Sequence, residues 1–189
     1  MSNDFIFEIY KDKKSVFSIQ EIAMLVGEPD FERLKQRVNY YVKTNKLRNI
    51  RRGVYVKDNY SPEELACKIF TPAYISLEYV LQKSGMIFQY SGSITVVSYL
   101  NRIINVDGRE LKYRKIKNDI LYNTSGVIMD DHGIACASPE RAFMDIVYLN
   151  REFHFDNIHN LNREAIRSML PVYNSKKLTI RVNNLLKNA

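Results

Sequence analysis

The hydrophobic and polar positions of the first thirty residues follow the spacing of two short helices. The earliest apolar positions recur at helical intervals and predict a helix over residues 3–11. A second helix is predicted to begin at Ser18, which forms a capping-box pattern with Glu21, and to end at Gly27. Its apolar face consists of Ile19, Ile22, Ala23 and Val26.

A third helix is predicted over residues 31–44, with Asp30 as its N-cap. At about 100° per residue, one stripe of this helix is apolar and is expected to face the core. That stripe consists of Phe31, Leu34, Val38, Tyr41 and Val42. The opposite face consists of Arg33, Gln36, Tyr40 and Lys43, with Lys35 and Arg37 at the margins. Arginine and the amide side chains supply donors that suit phosphates and purine edges.

Two short β-like runs, residues 47–50 and 54–56, follow this helix. Arg51 and Arg52 lie between them, and Gly53 supplies the turn of a predicted hairpin. A helix, a helix-turn-helix and a basic hairpin in this order predict a winged helix-turn-helix domain over residues 1–58.

Beyond residue 58 the spacing changes from helical to alternating and back again. Helices are predicted over residues 62–70 and 75–83 and, nearer the C-terminus, over residues 139–149, 163–170 and 178–187. The predicted strands cover residues 86–89, 93–99, 102–106, 110–116, 127–129 and 134–136. Asp107-Gly108 is a hairpin signal between the third and fourth of them. We therefore expect an α+β domain with an antiparallel sheet over residues 59–189.

The positive charge of the chain is concentrated in the predicted third helix and hairpin. The 189 residues carry a formal charge of +7, from 28 Lys and Arg against 21 Asp and Glu. Between residues 31 and 57 there are nine bases and one acid, Glu32. Such a concentration is typical of a nucleic-acid interface. The predicted DNA contacts are Arg33, Gln36, Arg37, Tyr40, Lys43, Arg48, Arg51 and Arg52. The alternative is a winged helix used only for protein contacts.

Composition predicts a cytoplasmic protein that does not enter a membrane. No run approaches 18 consecutive apolar residues, and the N-terminus lacks the pattern of a signal peptide. Cys67 and Cys136 are far apart and belong to no Cys-x-x-Cys pair, which favours two free thiols in a reducing compartment.

The sequence offers no convincing active site, so we expect no catalytic residue, no metal and no cofactor. Neither a P-loop nor a Rossmann glycine motif occurs, and the three histidines lack zinc-ligand spacing. Glu110 and Lys112 have the spacing of half a metal-dependent nuclease site, but a second carboxylate is missing and an ordinary cross-strand ion-pairing surface is the simpler interpretation. Two alternatives stay open: a nuclease targeted by the winged helix, and a transcription factor whose second domain senses a ligand.

Three segments together resemble one known family. They are RRGVYV in the hairpin, LACKIFTPAYISLEYVLQKSGMI after it, and ACASPERAFMDIVYL near the last third of the chain. This chain resembles the AbiEi-type antitoxins of bacterial abortive-infection (type IV) toxin–antitoxin systems over about residues 18–149. The runs P-x-Y-I-S-L-E and A-S-P-E-R-A-x-x-D carry most of the likeness.

The resemblance implies a bifunctional, non-enzymatic protein. Its winged helix would bind inverted repeats in double-stranded operator DNA and repress its own operon, with two copies pairing on each site. Its second domain would counteract a cognate nucleotidyltransferase-like toxin, directly or only functionally. The implied DNA contacts fall on the third helix and the hairpin named above. The resemblance supplies no active-site residues, and residues 74–78 and 138–145 are expected to be structural.

Overall fold

A computed structural model describes residues 4–187, which divide into two compact units. The first unit holds the described residues up to Ile69 together with Asp131–Gly133, and the second holds Phe70–Asp130 and the described residues from Ile134 onward. Both helices and strands occur in each unit, as the α+β prediction requires.

The first unit alternates helices with the strands of one small sheet. Its elements are α1 (Asp4–Lys11), β1 (Val16–Ser18), α2 (Ile19–Val26), α3 (Phe31–Lys43), β2 (Arg48–Arg51), β3 (Val54–Val56) and α4 (Pro62–Ile69). The strands form an antiparallel sheet with β3 in the centre, flanked by β1 and β2. The predicted start of the first helix at Asn3 lies outside the described residues. The three-residue strand β1 was not predicted.

The predicted helix ends of this unit are confirmed. Ser18 Oγ accepts a hydrogen bond from the Glu21 backbone N–H at 3.2 Å, and the Glu21 carboxylate accepts from the Ser18 N–H at 2.8 Å. Gly27 ends α2 in the left-handed conformation with φ of 64°. Asp30 Oδ1 then accepts from the first backbone N–H groups of α3. These caps satisfy groups that a helix end otherwise leaves unpaired.

The core of the first unit is made of side chains from α1, α2, α3 and the sheet. Fully buried members are Phe5, Ile9, Phe17, Ile22, Leu34, Val38 and Leu47. The prediction that Phe31 faces this core is wrong, because its side chain is 45% exposed. Phe31 is the first residue of α3, and its ring packs beside Lys35, whose Nζ lies 4.5 Å from the ring centroid.

A buried carboxylate joins α4 to the start of β1. Glu64 is buried, and its two oxygens accept from the Ser15 N–H at 2.8 Å, the Ser15 hydroxyl at 2.6 Å and the Val16 N–H at 3.0 Å. Three donors compensate the cost of burying this carboxylate. The helix after the hairpin is therefore bonded to the small sheet.

The second unit contains a six-stranded sheet and several helices. Its elements are β4 (Ala73–Ile75), α5 (Glu78–Lys83), β5 (Ile94–Ser98), β6 (Arg102–Val106), β7 (Arg109–Lys115), α6 (Asn118–Leu121), β8 (Val127–Met129), β9 (Ala135–Ala137), α7 (Pro139–Leu149), α8 (Arg163–Tyr173) and α9 (Lys176–Lys187). The strand order is β6-β7-β5-β4-β9-β8.

The prediction of an antiparallel sheet is wrong in part, because this sheet is mixed. β5 pairs in parallel with β7 over five residues, and β4 pairs in parallel with β9. The hairpin signals in the sequence locate antiparallel neighbours such as β6 and β7. They carry no information on pairs such as β5 and β7, which have another strand between them in the chain.

Two predicted elements of the second unit differ in the structure. The helix predicted from residue 75 begins at Glu78, because Ala73–Ile75 is strand β4. The strand predicted over residues 86–89 does not form. Instead, the Phe88 N–H donates to the Asp156 carboxylate at 2.7 Å, and the Met86 carbonyl accepts from the Asp156 N–H at 2.9 Å. Side-chain and loop partners thus replace a strand neighbour.

Candidate nucleic-acid interface

One face of α3 is polar and exposed, and the opposite face is buried. Leu34 and Val38 have no exposed surface and fix the buried side. The exposed side carries Arg33, Gln36, Tyr40 and Lys43. These positions are separated by three, four and three residues, so they lie along one side of the helix.

Glu28, in the turn before α3, neutralises part of the helix charge. Its Oε2 lies 3.5 Å from both Arg33 Nε and Arg37 Nη1. The Arg33 side chain is 69% exposed, whereas the Glu28 side chain is only 9% exposed. If Arg33 bound a phosphate instead, Glu28 would still have Arg37 as its partner.

Arg37 has a packing role that sequence analysis did not indicate. Its side chain is only 32% exposed, and its Cζ lies 4.4 Å from the centroid of the Phe5 ring. Phe5 itself stacks on Tyr41, with ring centroids 5.3 Å apart. The guanidinium thus joins α3 to α1 through a cation–π contact. Among the eight predicted contact residues, Arg37 alone is half-buried, whereas the other seven are exposed.

Several of the exposed side chains make no polar contact within the described chain. The side chains of Gln36, Lys43 and Arg52 form no hydrogen bond or ion pair with any other residue in the range 4–187. Tyr40 is 61% exposed and packs edge-on against Tyr41. Donors that are already solvated and unpaired are available to an incoming ligand.

The hairpin of β2 and β3 presents three exposed arginines. The register between the strands shifts between Asn49 and Arg51, and Gly53 closes the turn with φ of 76°. Arg51 and Arg52 are exposed at this turn. Arg48, at the other end of β2, has its Cζ 5.9 Å from the centroid of the Tyr60 ring. Both ends of the hairpin therefore carry exposed positive charge, two arginines at the turn and one at the base.

Lys57 belongs to the basic segment but is used inside the first unit. Its Nζ donates to the backbone carbonyl of Asp12 at 2.6 Å, and its side chain is half-buried. Burial lowers the pKa of Lys57, although the nearby Asp12 and Glu64 carboxylates counteract this effect. Lys57 thus has a structural role within the basic segment.

In the second unit, Glu110 and Lys112 pair with each other along β7. Lys112 Nζ lies 3.1 Å from Glu110 Oε1, so the two side chains pair along one strand and not across neighbouring strands as expected. Within residues 4–187, no three His, Cys, Asp or Glu side chains are grouped so that they could hold a metal ion. No described helix has the length and apolar character needed to cross a bilayer.

The two sequence runs that carry the family likeness meet at a buried group of side chains in the second unit. We name it the motif cluster, and it consists of Tyr74, Ser76, Arg141, Asp145 and Tyr173. The Asp145 carboxylate accepts from the hydroxyls of Tyr74 at 3.0 Å, Ser76 at 2.8 Å and Tyr173 at 2.7 Å. Tyr173, on α8, lies outside both runs, and its role was not predicted.

Burial dominates the electrostatics of the motif cluster. It raises the pKa of Asp145, although the Arg141 guanidinium and the three hydroxyl donors counteract part of that rise. The pKa values of Tyr74 and Tyr173 are likewise raised by burial and then by the Asp145 charge. Both tyrosines therefore remain protonated donors at neutral pH.

Arg141 also joins the motif cluster to α6 and to the loop that follows it. Its Nη1 donates to the carbonyls of Asn123 at 3.2 Å and Ser125 at 2.7 Å, and its Nη2 donates to the Ile120 carbonyl at 2.7 Å. The guanidinium is fully buried and has its donors satisfied by the chain itself. This geometry supports a structural role for the cluster.

No protein-family model matches the chain, and no curated protein sequence matches it either.

Proposed function

We propose that this protein is a DNA-binding antitoxin and autorepressor whose first unit is a winged helix-turn-helix. In this proposal α3 enters the major groove of duplex DNA, and the β2–β3 hairpin lies on the adjacent phosphates. The second unit counteracts a cognate nucleotidyltransferase-like toxin.

The observation that carries the DNA-binding proposal is the division of α3 into two faces. Leu34 and Val38 hold the helix in the core, which leaves Arg33, Gln36 and Lys43 directed away from it. Arginine binds guanine and phosphate, and glutamine reads adenine through two hydrogen bonds. One helix face therefore combines phosphate-binding and base-reading chemistry.

The order of elements supports the same proposal. A helix, a strand, two helices and a hairpin follow one another in α1, β1, α2, α3, β2 and β3, and β1 completes the sheet beside β3. In helix-turn-helix proteins the second helix of the pair is the one that lies in the major groove. That position corresponds to α3.

The antitoxin part of the proposal rests on the resemblance alone. The two runs that carry it form a buried cluster in the second unit, so they support a shared scaffold rather than a shared active site. Operators of AbiEi-type antitoxins are inverted repeats, so two copies of the chain are expected to bind each site. We expect the protein to act in the cytoplasm.

The DNA-binding proposal is tested by titrating the full chain into a fluorescent duplex from its own promoter, and into an unrelated duplex, at several salt concentrations. Arg51→Ala combined with Arg52→Ala is expected to weaken binding to both duplexes. Each lost phosphate contact lowers the slope of log K against log salt by about one. Arg163→Ala combined with Arg167→Ala removes two exposed arginines of α8 and is the matched control. Equal affinity and slope in both double variants would contradict the role of the hairpin.

The antitoxin proposal is tested separately, in cells. The neighbouring reading frame is expressed alone and then together with this chain. We expect a nucleotidyltransferase-like product that arrests growth alone and is counteracted by co-expression. Growth arrest that persists when both proteins are present would contradict the antitoxin function without bearing on DNA binding.

A further inference from the structure

The turn between α2 and α3 contains a carboxylate that is largely shielded from solvent. Glu28 follows the left-handed Gly27, and its backbone N–H donates to the Ala23 carbonyl at 3.2 Å. Only 9% of the Glu28 side chain is exposed, although the residue lies in a turn. The backbone of Glu28 is thus bonded to the end of α2, and its carboxylate lies beside α3.

Glu28 Oε2 is shared by two arginines of α3 that have different surroundings. Arg33 Nε and Arg37 Nη1 each lie 3.5 Å from this oxygen. Arg37 is half-buried and packs on the Phe5 ring, so it holds the carboxylate from the protein side. Arg33 is exposed and belongs to the face that the proposed function places in the major groove. The carboxylate therefore connects a packed contact to a side chain that would face DNA.

The neighbouring acids have other partners. Asp30 caps α3 by accepting from its first backbone N–H groups, and Glu32 pairs with Lys35 at 2.9 Å, with both of these side chains exposed. Among the three acids between residues 28 and 32, Glu28 alone contacts side chains that are predicted to bind DNA.

The contact with Glu28 leaves the end of the Arg33 side chain available. Arg33 approaches the carboxylate most closely with Nε, the guanidinium nitrogen nearest its backbone, and its side chain donates no hydrogen bond to any residue in the range 4–187. Arginine binds guanine by donating two hydrogen bonds to O6 and N7. Because water is partly excluded from Glu28, its attraction for Arg33 is stronger than in a fully exposed pair. Arg33 is thus able to keep Glu28 as its partner while its terminal nitrogens bind a base.

We propose that Glu28 is a positioning residue that directs Arg33 to a guanine in the major groove and away from the phosphates. This inference rests on the proposed DNA binding by α3 and identifies the base that one of its side chains reads. Holding Arg33 in one orientation reduces the entropy that it loses on binding. Partial neutralisation of its charge also weakens its attraction to the phosphates of any sequence. Glu28 therefore raises discrimination between sequences and lowers affinity for DNA in general.

The test begins with the full wild-type chain, whose preferred site is selected from a pool of random-sequence duplexes. Competition between duplexes that differ from this site by one base pair then gives the preference at each position. Arg33→Ala is expected to remove a preference for guanine at one position, which is about five- to 150-fold for a two-bond contact. Glu28→Gln keeps the size of the side chain and removes its charge. It is expected to lower the same preference about three- to tenfold.

Glu32→Gln removes the same charge from the exposed first turn of α3 and is the matched control. Both glutamine variants are expected to bind an unrelated duplex at least as tightly as wild type, because each removes a negative charge near the phosphates. Only Glu28→Gln is expected to lose preference for guanine. Combining Glu28→Gln with Arg33→Ala is expected to cause no further loss beyond that of Arg33→Ala, because Glu28 acts through Arg33.

The preference is a ratio of two affinities, so a fraction of unfolded protein lowers both affinities and leaves the ratio unchanged. If Glu28→Gln does not fold, Glu28→Asp is measured in its place. This variant keeps the charge and withdraws the carboxylate from Arg33 by one methylene, and it is expected to lower the same preference.

Four results would overturn the inference. Arg33→Ala keeps the preference for guanine, Glu28→Gln keeps it, Glu28→Gln loses preference at several base pairs alike, or the double variant discriminates less than Arg33→Ala does. The last two would assign Glu28 to the fold of α3 and not to the orientation of Arg33. All four leave DNA binding itself intact, whereas a wild-type chain that prefers no sequence in the pool would overturn the proposed function together with this inference.

Discussion

Arg141 and Asp145 lie one turn apart on α7 and form a fully buried ion pair, with 3.3 Å between Arg141 Nε and Asp145 Oδ1. The carboxylate has three further donors, the hydroxyls of Tyr74, Ser76 and Tyr173. These hydroxyls come from β4, the residue that follows it, and α8. One carboxylate thus joins a strand segment and two helices of the second unit.

Removing this carboxylate is expected to destabilise the second unit strongly. Asp145→Ala leaves a buried guanidinium without its counter-charge and three hydroxyls without their acceptor. Loss of one partner of a buried ion pair costs about 3–5 kcal/mol in the free energy of unfolding. Urea denaturation followed by circular dichroism measures this loss.

The exposed pair on β7 provides the control for that measurement. Glu110 and Lys112 are 3.1 Å apart, but both side chains are in contact with solvent. Glu110→Ala is therefore expected to change the free energy of unfolding by at most about 1 kcal/mol. Similar losses for Asp145→Ala and Glu110→Ala would contradict the structural role of the motif cluster.

Gly126 is expected to be intolerant of any side chain, in contrast to Gly108. Both have positive φ, 72° and 74°. A Cβ on Gly126 would lie 2.7 Å from Met169 Sδ and 2.9 Å from Arg141 Cβ, whereas a Cβ on Gly108 would meet nothing within 4 Å. The methionine sulfur is able to move aside, but Arg141 is held in place by its hydrogen bonds.

The two alanine variants therefore separate steric overlap from backbone strain. Gly108→Ala is expected to cost about 1–2 kcal/mol, the penalty of a left-handed alanine. Gly126→Ala adds overpacking against Arg141, for a total of about 2–5 kcal/mol. Urea denaturation of both variants measures the difference. Equal losses would show that the loop after α6 moves away from Arg141 without cost.

Local signals in the sequence predict the helix ends and most strands of this protein. The capping box of Ser18 and Glu21 and the hairpin at Asp107-Gly108 depend only on neighbouring residues, so they are visible without a fold. The parallel pairing of β5 with β7 depends on residues far apart in the chain. No local pattern indicates it.

The candidate interface shows the same limit. Helical spacing predicts which side of α3 is exposed, and the structure confirms this for Arg33, Gln36 and Lys43. Helical spacing does not predict that Arg37 packs on Phe5, because that contact requires α1 to lie beside α3. The convergence of Tyr173 with Arg141 likewise depends on how α8 packs against α7.

The stability of the first unit is expected to fall in acid through Glu21. Partial burial acts to raise the pKa of Glu21, but hydrogen bonds from Lys68 and Ser18 outweigh it, so the pKa is lowered in the folded chain. The Lys68 Nζ lies 2.6 Å from Glu21 Oε1. A lowered folded pKa contributes stability that is present above the unfolded pKa and is lost as pH falls through the folded pKa.

Glu21→Gln is expected to remove this part of the acid sensitivity, since glutamine accepts the capping hydrogen bond but does not titrate. Urea denaturation between about pH 6 and about pH 3 measures the difference. Glu32→Gln, on the exposed side of α3, is the matched control and is expected to keep the wild-type slope. If Glu21→Gln loses stability in acid as steeply as wild type does, the ion pair between Glu21 and Lys68 does not contribute to the acid sensitivity.

Gln36 is expected to determine sequence preference at one base pair, given that α3 lies in the major groove. Its side chain is exposed in the middle of the polar face, between Arg33 and Tyr40. Gln36→Ala is expected to relax discrimination at a single position by about 1–3 kcal/mol while leaving the salt slope of binding unchanged. Competition between operator duplexes that each differ by one base pair measures this effect. Gln89→Ala removes an exposed glutamine of the second unit and is expected to retain the wild-type preferences. A uniform loss of affinity across all duplexes for Gln36→Ala would assign this side chain to the phosphate backbone and not to a base.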